Sequence, residues 1–428
     1  MTMTPSPSFL KQGTVLALLG LTWVSQLCAQ PAPVAGKYIV LLQPGASPVA
    51  VAARHGLAPD HVYQTAVNGF SGAVPPGKLR LLRNDPRVAA VVQDYTVQAI
   101  GRPGGGGGTI GQVVPAGVSH IGAAPGMLTF NGLGVGVAVV DTGVDLLHAD
   151  LDATSAFSAY GGTAQDDNGH GTHVSGIIAA KDNTIDVVGV APKAKIFAVK
   201  VLDASGSGAD SDVIAGLDYV AANAATSVPP IRVVNMSLGR PASSNDSAMH
   251  SAVQAVVDAG VTVVVAAGND CGSEISQQVP AGFAEVIAVA STTAKDGTKN
   301  RAGYLIAADT ASYFTTDGEG VVVSAPGEDQ ENVSNGYLLS SVGILSTKLG
   351  GGTTRMSGTS MASPHTAGVV ALLYQQAGGN ITPSTVRGKL IAGAAHLGTA
   401  PLASPTSCYT FDNVLEGILS APGALSAP

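Results

Sequence analysis

The sequence predicts an α/β fold, a parallel sheet with helices on both faces, preceded by a small α+β domain. One observation is a set of apolar runs that are continuous, as in strands buried on both faces. These runs are Val135–Val140, Ile196–Val201, Ile231–Val234, Val261–Ala266 and Val286–Ala290. The other is the set of helical stretches between them, His170–Ala180, Asp212–Ala224 and Ser247–Ala259. Their alternation is typical of a parallel sheet, where sites gather at the carboxyl ends of the strands.

A separate small domain is predicted for residues 37–98. Short β-branched runs, Tyr38–Leu42 and Val88–Val92, alternate there with stretches of helical character. Residues 99–111 follow, and their five consecutive glycines predict a flexible linker. A phosphate-binding loop does not fit, because no strand leads into the glycines and no Gly-Lys-Ser/Thr follows. The larger domain is therefore expected over residues 112–428.

Composition and charge narrow the possible partners. The chain has 428 residues, 45% of them hydrophobic and 12% charged, which suits a compact globular protein. Its net charge is -8 and it has no run of Lys or Arg. Nucleic acids and anionic membranes are therefore not expected as partners. Nothing in the sequence calls for an oligomer, so we expect a monomer.

The first residues have the character of an export signal. Lys11 precedes an apolar stretch, Val15–Val24, and the small residue Ala29 offers a cleavage point. These features predict a secretory signal peptide over residues 1–29 and an extracellular protein. A membrane anchor fits less well, because about ten apolar residues are too few to cross a bilayer.

The cysteines leave two readings open. Cys28 would be lost with the signal, which leaves Cys271 and Cys408 in the mature chain. In an oxidising compartment these two can form a disulfide. Two buried thiols are the alternative, since a sequence does not give the Cα separation that a disulfide requires.

Three segments carry the groups that acyl transfer needs: Asp141-Thr-Gly-Val-Asp, His170-Gly-Thr-His-Val-Ser-Gly and Gly358-Thr-Ser-Met-Ala-Ser-Pro-His. A hydroxyl nucleophile, an imidazole base and a carboxylate that orients the imidazole form one reaction unit. Ser360 opens a predicted helix with Pro364 in its first turn, so unpaired N–H groups lie beside the nucleophile. Taken alone, a serine at that position is commonly only an N-cap.

Other chemistries fit these segments poorly. His170 and His173 have the spacing of zinc ligands, but the glutamate of a zinc protease helix is missing. Asp-Thr-Gly also marks aspartic proteases, which need two such carboxylates in one site, and one copy is present. The chain order Asp, His, Ser differs from that of α/β-hydrolases.

Together the three segments resemble the subtilase family of serine peptidases, closest to the subtilisin and proteinase K branches, over about residues 112–395. The resemblance implies a subtilisin-like fold and a serine endopeptidase. It implies that Asp141 orients the imidazole, that His170 acts as general base and then general acid, and that Ser360 attacks the carbonyl. It also implies that Asn269, in Val-Ala-Ala-Gly-Asn, donates a hydrogen bond to the oxyanion.

The same resemblance implies a binding cleft for extended protein or peptide substrates. The residues that would line it are Gly206, Ser207, Gly208, Ser237, Leu238, Gly239, Ala267 and Gly268. Pairing with a substrate backbone accepts many side chains. A neutral or apolar residue is expected before the cleaved bond.

The small domain resembles the inhibitory propeptide of subtilases through Tyr38-Ile-Val-Leu-Leu, Gly69-Phe-Ser-Gly and Val91-Val-Gln-Asp. This resemblance implies a zymogen in which the domain blocks the cleft until it is cut away. A permanent N-terminal binding module is the alternative. A catalytically inactive binding protein is a further alternative, although the complete set of Asp141, His170, Asn269 and Ser360 argues against it.

A structural calcium ion is also implied by register with subtilisin segments. The ligands would be Gln112, Asp150, Lys181, Asn183, Ile185 and Val187. Calcium takes six to eight oxygen ligands, and carbonyl oxygens serve as well as carboxylates. Because Gln112 lies just beyond the linker, we expect it to reach the site only after the propeptide junction has been cut.

Overall fold

The computed structural model describes residues 30–107, 111–336, 338–406 and 414–428, and for residues 102–107 it describes the backbone. The predicted signal peptide, residues 1–29, and Cys408 lie outside the described residues. Export and the Cys271–Cys408 disulfide therefore stay predictions.

The small domain is an antiparallel sheet with two helices. In chain order its elements are β1 (Pro33–Leu42), α1 (Pro48–Arg54), β2 (His61–Tyr63), β3 (Gly69–Ala73), α2 (Pro76–Arg83) and β4 (Val88–Ala99). β1 lies between β3 and β4, and β2 pairs with the outer side of β3. The buried side chains of Val40, Phe70 and Leu82 join sheet and helices in one core. The predicted α+β character is confirmed, with β4 running on to Ala99.

The rest of the chain contains most of the regular structure. Its first elements are β5 (Arg102–Gly107), α3 (Ala116–His120), β6 (Gly136–Asp141), β7 (Ala153–Ser158), α4 (His170–Ala179), β8 (Lys195–Lys200), β9 (Ser207–Ala209), α5 (Asp210–Asn223), β10 (Ile231–Met236), β11 (Leu238–Pro241), α6 (Ser247–Asp258) and β12 (Thr262–Ala266). After a short 3-10 turn come β13 (Gln278–Val279), β14 (Ile287–Thr293), β15 (Val321–Glu328), β16 (Gln330–Val333), β17 (Leu339–Val342), β18 (Ile344–Thr347), β19 (Thr353–Ser357), α7 (Thr359–Gln376), α8 (Pro383–Ala392) and α9 (Ala421–Ser426).

The central sheet is parallel and has the strand order β15-β14-β12-β10-β6-β8-β7. The five predicted apolar runs form β6, β8, β10, β12 and β14, which confirms the parallel sheet. The two edge strands were not predicted. β7 is only half-buried and has no continuous apolar run, whereas β15 ends in Ala-Pro-Gly-Glu, which is unusual in a strand.

Two apolar layers cover the faces of this sheet. α4 and α7 contribute to one layer, and α5 and α6 contribute to the other. The second layer also takes in Tyr63 and Val97 of the small domain, so the two parts of the chain share a core. Among the described residues, no helix is both long and apolar enough to span a bilayer.

Helix α7 begins one residue before Ser360, and Pro364 lies in its second turn instead of its first. In a regular helix the N–H of residue 364 would bond to the carbonyl of Ser360, but proline has no N–H. The hydroxyl of Ser237 donates to that carbonyl at 2.9 Å. The side chain of a neighbouring segment therefore satisfies the helix at the point where proline interrupts it.

The sequence predicts a flexible linker in the glycine-rich segment, but residues 102–107 form a paired strand. β5 pairs antiparallel with β19, which pairs on its other side with β18. Glycine keeps the backbone N–H and C=O groups that pairing requires, although it adds no side-chain contact. An open strand edge is therefore enough to order this segment.

Two buried glutamates face each other beside the central sheet. Glu328 ends β15, Glu331 lies in β16, and both side chains are fully buried. The backbone N–H of Tyr313 donates to Glu331 at 2.7 Å, and the hydroxyl of Ser341 donates to Glu328. Burial raises the pKa of Glu328 well above its usual range, and the negative charge of Glu331 adds to this effect. Burial also raises the pKa of Glu331.

These raised values predict that stability falls as the pH rises. Below about pH 4.5 both carboxyls are protonated in the folded and unfolded chains, so neither opposes folding. At higher pH the unfolded chain loses protons that the folded chain retains, at about 1.4 kcal/mol per pH unit for each proton. Glu331→Gln keeps the acceptor for Tyr313 and removes one ionisable group. We expect its free energy of unfolding, relative to the parent, to increase between pH 5 and pH 8.

The measurement is denaturant unfolding in a Ser360→Ala background, which removes the predicted nucleophile. Glu319→Gln is the matched control, because Glu319 is exposed. Equal pH dependence of the Glu331→Gln variant and the control would contradict this account.

Candidate active site

The three predicted catalytic side chains come together at the carboxyl end of the parallel sheet. Asp141 is the last residue of β6, His170 is the first of α4, and Ser360 is the second of α7. Nδ1 of His170 lies 2.8 Å from Oδ1 of Asp141. The N–H of Thr142 donates to the same oxygen at 2.7 Å, which fixes the carboxylate. The predicted pairing of carboxylate and imidazole is therefore present.

The environment of His170 favours its cation. Burial of the imidazole opposes the charge, but the charge and hydrogen bond of Asp141, together with the charge of Asp166, outweigh this effect and raise the pKa of His170 above its usual value. An imidazole with a raised pKa holds a proton more strongly, as a general base requires.

The Ser360 hydroxyl points to another partner. Its Oγ donates to the carbonyl of Ser237 at 2.9 Å. Nε2 of His170 has no hydrogen-bond partner among the described residues, and it lies against Gly101. A Cβ atom at Gly101 would come within 2.7 Å of that nitrogen, so a larger residue would force a shift. The Ser360 hydroxyl must leave the Ser237 carbonyl before it can donate to His170.

Asn269 holds a carbonyl oxygen of the chain itself. Its Nδ2 donates to the carbonyl of Ile100 at 2.9 Å. The side-chain oxygen of Asn269 accepts from the N–H of Thr359 at 2.9 Å, which directs the amide hydrogens toward Ile100. Gly358 has φ 147°, and a Cβ atom there would lie 2.6 Å from the Ile100 oxygen. Glycine at 358 therefore leaves room for this carbonyl.

The predicted substrate segments pair with residues 96–100. β9 pairs antiparallel with one side of β4, so that Ser207 and Gly208 oppose Gln98 and Val97. β11 pairs with its other side, so that Leu238 and Gly239 oppose Ala99 and Gln98.

Two further hydrogen bonds extend this pairing to the end of the segment. Ala99 donates to the Gly206 carbonyl at 2.9 Å, and Ile100 donates to the Ser237 carbonyl at 3.2 Å. The predicted cleft thus holds an extended strand.

Gly268 and Ala267 occupy different positions in this cleft. Gly268 lines a cavity beside Ile100 together with Gly239, Asn269 and Gln278. Ala267 is fully buried behind it, where its N–H donates to the Val289 carbonyl at 3.0 Å. Gly268 is therefore part of the cavity wall, whereas Ala267 supports that wall through β14.

Comparison with known families agrees with this arrangement. A family model described as the subtilase family matches residues 132–409, and one described as peptidase inhibitor I9 matches residues 53–99. The chain belongs to the subtilase family. It is a subtilisin-like serine endopeptidase made with an inhibitory propeptide domain.

Individual relatives and a solved structure show the extent of the similarity. The alkaline serine protease ver112 of Corniculantispora psalliotae is 36% identical, over 81% of this chain and 82% of its own. Subtilisin DY of Bacillus licheniformis is 37% identical, over 67% of this chain and 93% of its own. The crystal structure of a cold-adapted subtilisin-like serine proteinase matches with a TM-score of 0.53 and 35% identity, over 68% of this chain and 90% of that one. The subtilisin-like fold is thus confirmed.

Of the six residues predicted to bind calcium in this subtilase, Asp150 is buried and the other five lie around it. The Gln112 side-chain amide donates to the carbonyl of Lys181 at 2.9 Å and to that of Val187 at 3.5 Å. Asn183 donates to one oxygen of Asp150 at 2.6 Å, and the N–H of Val187 donates to the other at 3.3 Å. The N–H of Ile185 donates to the side-chain oxygen of Asn183 at 2.7 Å. Three segments of the chain therefore meet at Asp150, joined by hydrogen bonds.

The position of Gln112 corrects one expectation. We expected it to reach this cluster only after the junction is cut, but it already contacts Lys181 in the uncut chain. Val113 is fixed as well, since its N–H donates to the Asp186 carbonyl at 2.9 Å. Ten residues lie between Gly101 and Gln112, and the eleven Cα-to-Cα steps can span about 36 Å when extended. The glycine-rich segment therefore lets both ends dock at once.

Sequence reasoning did not find several residues that shape the site. Ile100 and Gly101 lie at the domain junction, where no motif marks them. Thr359 orients Asn269, and its position directly before Ser360 was the only sequence signal. Asp94 is buried against the first turn of α5, where its carboxylate accepts from the N–H of Ser211 at 3.1 Å and from its hydroxyl at 2.7 Å. A carboxylate at a helix N-terminus stabilises the helix, because it faces the positive end of the helix dipole and accepts hydrogen bonds from unpaired N–H groups.

The environment of His170 generates a prediction about its titration. In a Ser360→Ala precursor, NMR should show the His170 imidazole titrating above the ordinary value of about 6.5. Asp141→Asn should lower that pKa, because it removes the charge that stabilises the cation. A His170 titration at or below 6.5 would contradict the proposed dominance of Asp141.

Proposed function

We propose that this subtilase is a secreted, monomeric endopeptidase whose catalytic residues are Asp141, His170, Ser360 and Asn269, and whose first substrate is its own Ile100–Gly101 bond. One observation carries the proposal. The carbonyl oxygen of Ile100 accepts from Nδ2 of Asn269 beside the start of α7, while Gly101 touches the imidazole of His170. The groups that acyl transfer needs thus surround this peptide bond.

Each group has a defined role in the cleavage. His170 takes the Ser360 proton at Nε2 as Oγ bonds to the Ile100 carbonyl carbon, and Asp141 stabilises the imidazolium. Asn269 and N–H groups at the start of α7 bind the oxyanion. The Ile100–Gly101 C–N bond then breaks, and His170 gives the proton to the Gly101 amine. Water adds in the same way to the acyl-enzyme, which releases the Ile100 carboxylate and restores the Ser360 hydroxyl.

The same contacts support a preference among protein substrates. Val97 is buried in the apolar layer that α5 and α6 cover, and Ile100 faces the cavity lined by Gly239 and Gly268. The other contacts of residues 96–100 in the cleft include backbone hydrogen bonds to β9 and β11. We therefore propose cleavage after apolar residues of medium size, with a second apolar residue three positions earlier.

The decisive test is Ser360→Ala, expressed in a host that lacks other proteases. We expect the protein in the medium to be full-length apart from its signal peptide and to leave casein intact. The parent should hydrolyse casein and begin at Gly101. Removing the nucleophile leaves at most the weak catalysis of the remaining site. A processed Ser360→Ala protein would contradict self-cleavage, and an intact, inactive parent would favour the alternative of a catalytically inactive binding protein.

The same samples test export and the disulfide. Recovery from the medium without residues 1–29 is the expected result for a signal peptide. A bond between Cys271 and Cys408 predicts no titratable thiol in the denatured, unreduced protein. Such a bond closes a long loop, which limits the freedom of the unfolded chain.

We also propose that Gln112, Asp150, Lys181, Asn183, Ile185 and Val187 bind a structural calcium ion. The meeting of their three segments at Asp150 supports this, as does the burial of that carboxylate. Burial raises the pKa of Asp150 to about 6. The positive charge near this carboxylate is therefore too weak to cancel the effect of burial. A bound cation would supply that positive charge and cross-link three segments.

Calcium should therefore stabilise the uncut precursor as well as the mature enzyme. The Ser360→Ala precursor should unfold at a higher temperature in calcium than in chelator, because the ion binds only the folded chain. Asp150→Ala should abolish this difference, whereas Asp152→Ala, at an exposed neighbouring carboxylate, should retain it. A calcium response that survives Asp150→Ala would exclude this site.

A further inference from the structure

We propose that residues 102–107 remain on β19 after the Ile100–Gly101 bond is cut and inhibit the mature enzyme by occupying the side of the cleft that receives the leaving half of a substrate. We call this segment the glycine arm. The inference rests on the proposed self-cleavage, and it adds a second inhibitor that acts after the propeptide has been released.

The location of β19 makes its free edge part of the cleft. β19 ends at Ser357, immediately before Gly358 and three residues before Ser360. Arg102, the second residue after the scissile bond, opposes Ser357, and the pairing continues to Gly107 opposite Thr353. A substrate that continues past its cleaved bond meets the same edge. The arm and the leaving half of a substrate therefore compete for one set of backbone groups.

Cleavage does not disturb the contacts that hold the arm. The reaction breaks the bond between Ile100 and Gly101, but the arm bonds to β19 through later residues. Its other end is tethered, because Val113 bonds to Asp186 and pairs with Val187. A short tether keeps the local concentration of a segment in the millimolar range. The arm thus returns to β19 whenever it detaches.

The glycine content of the arm explains why it would restrain the enzyme without disabling it. Glycine loses more backbone entropy on ordering than any other residue and contributes no side-chain contact, so a substrate with side chains can displace it. The glycine run is also a poor substrate for the enzyme. The positions held by Val97 and Ile100 are apolar contacts that a glycine run cannot make. The arm would therefore persist on the mature enzyme.

The test compares two substrates that share the sequence of residues 97–100, Val-Gln-Ala-Ile. One carries a 4-nitroanilide directly after Ile and does not reach β19. The other carries six further residues between a fluorophore and a quencher, so it needs the β19 edge. Arm occupancy raises KM for the long substrate and leaves KM for the short one unchanged.

Proline substitutions release the arm. Successive N–H groups of a strand point in opposite directions, so either Gly106→Pro or Gly107→Pro removes one aimed at β19. Gly108→Pro, at the residue that follows Gly107 in the sequence, is the matched control. N-terminal sequencing of each mature enzyme must give Gly-Arg at residues 101–102, which shows that the first cut took place and that the arm is still attached.

We expect at least one of the two strand variants to lower KM for the long substrate by about threefold or more, as loss of a tethered competitor requires. KM for the short substrate should be the same in the parent and in every variant. Gly108→Pro should have the parent's KM for both substrates. If the ratio of KM for the long substrate to KM for the short one is the same in the parent and in both strand variants, the inference is wrong. Hydrolysis of the short substrate in that experiment would still uphold the proposed function. Failure to hydrolyse either substrate would instead overturn the proposed function.

Discussion

Backbone pairing of β4 between β9 and β11 is the interaction on which the arrangement of the site depends. It extends the sheet of the small domain across the larger one, so that residues 96–100 follow the line a substrate would take. Because the strand is held on both edges, its next carbonyl, that of Ile100, is delivered to Asn269. Sheet geometry therefore sets the position of the Ile100 carbonyl.

The groups around this carbonyl are held by the carboxyl end of the parallel sheet and by the starts of α4 and α7. Asp141 ends β6, and Ser360 lies in the first turn of α7, a helix buried as far as Tyr374. The burial of α7 fixes Ser360 rigidly, and the hydroxyl of Ser237 supports its carbonyl where Pro364 leaves it unpaired. Because Pro364 leaves this carbonyl unpaired within the helix, α7 bonds instead to Ser237, the residue directly before β11.

Close packing around the junction explains why small residues occupy it. Gly101 lies against His170, and Gly358 lies against the Ile100 carbonyl. The glycines that follow then span the distance to Gln112 while pairing with β19. A shorter junction would have to release either Gly101 from His170 or Gln112 from the Asp150 cluster. The length of this segment therefore allows both contacts in the same chain.

The sequence by itself determined the parallel sheet and the triad candidates, because buried strands require continuous apolar runs and the three motifs lie at strand and helix ends. It also predicted the six residues around Asp150, through their register with a known family. Only the tertiary structure decided that Ile100 and Gly101 lie in the cleft, that Thr359 orients Asn269, and that the glycine run is a strand. These features depend on the edges that β9, β11 and β19 present, and a strand edge is created by folding, not by any local pattern of residues.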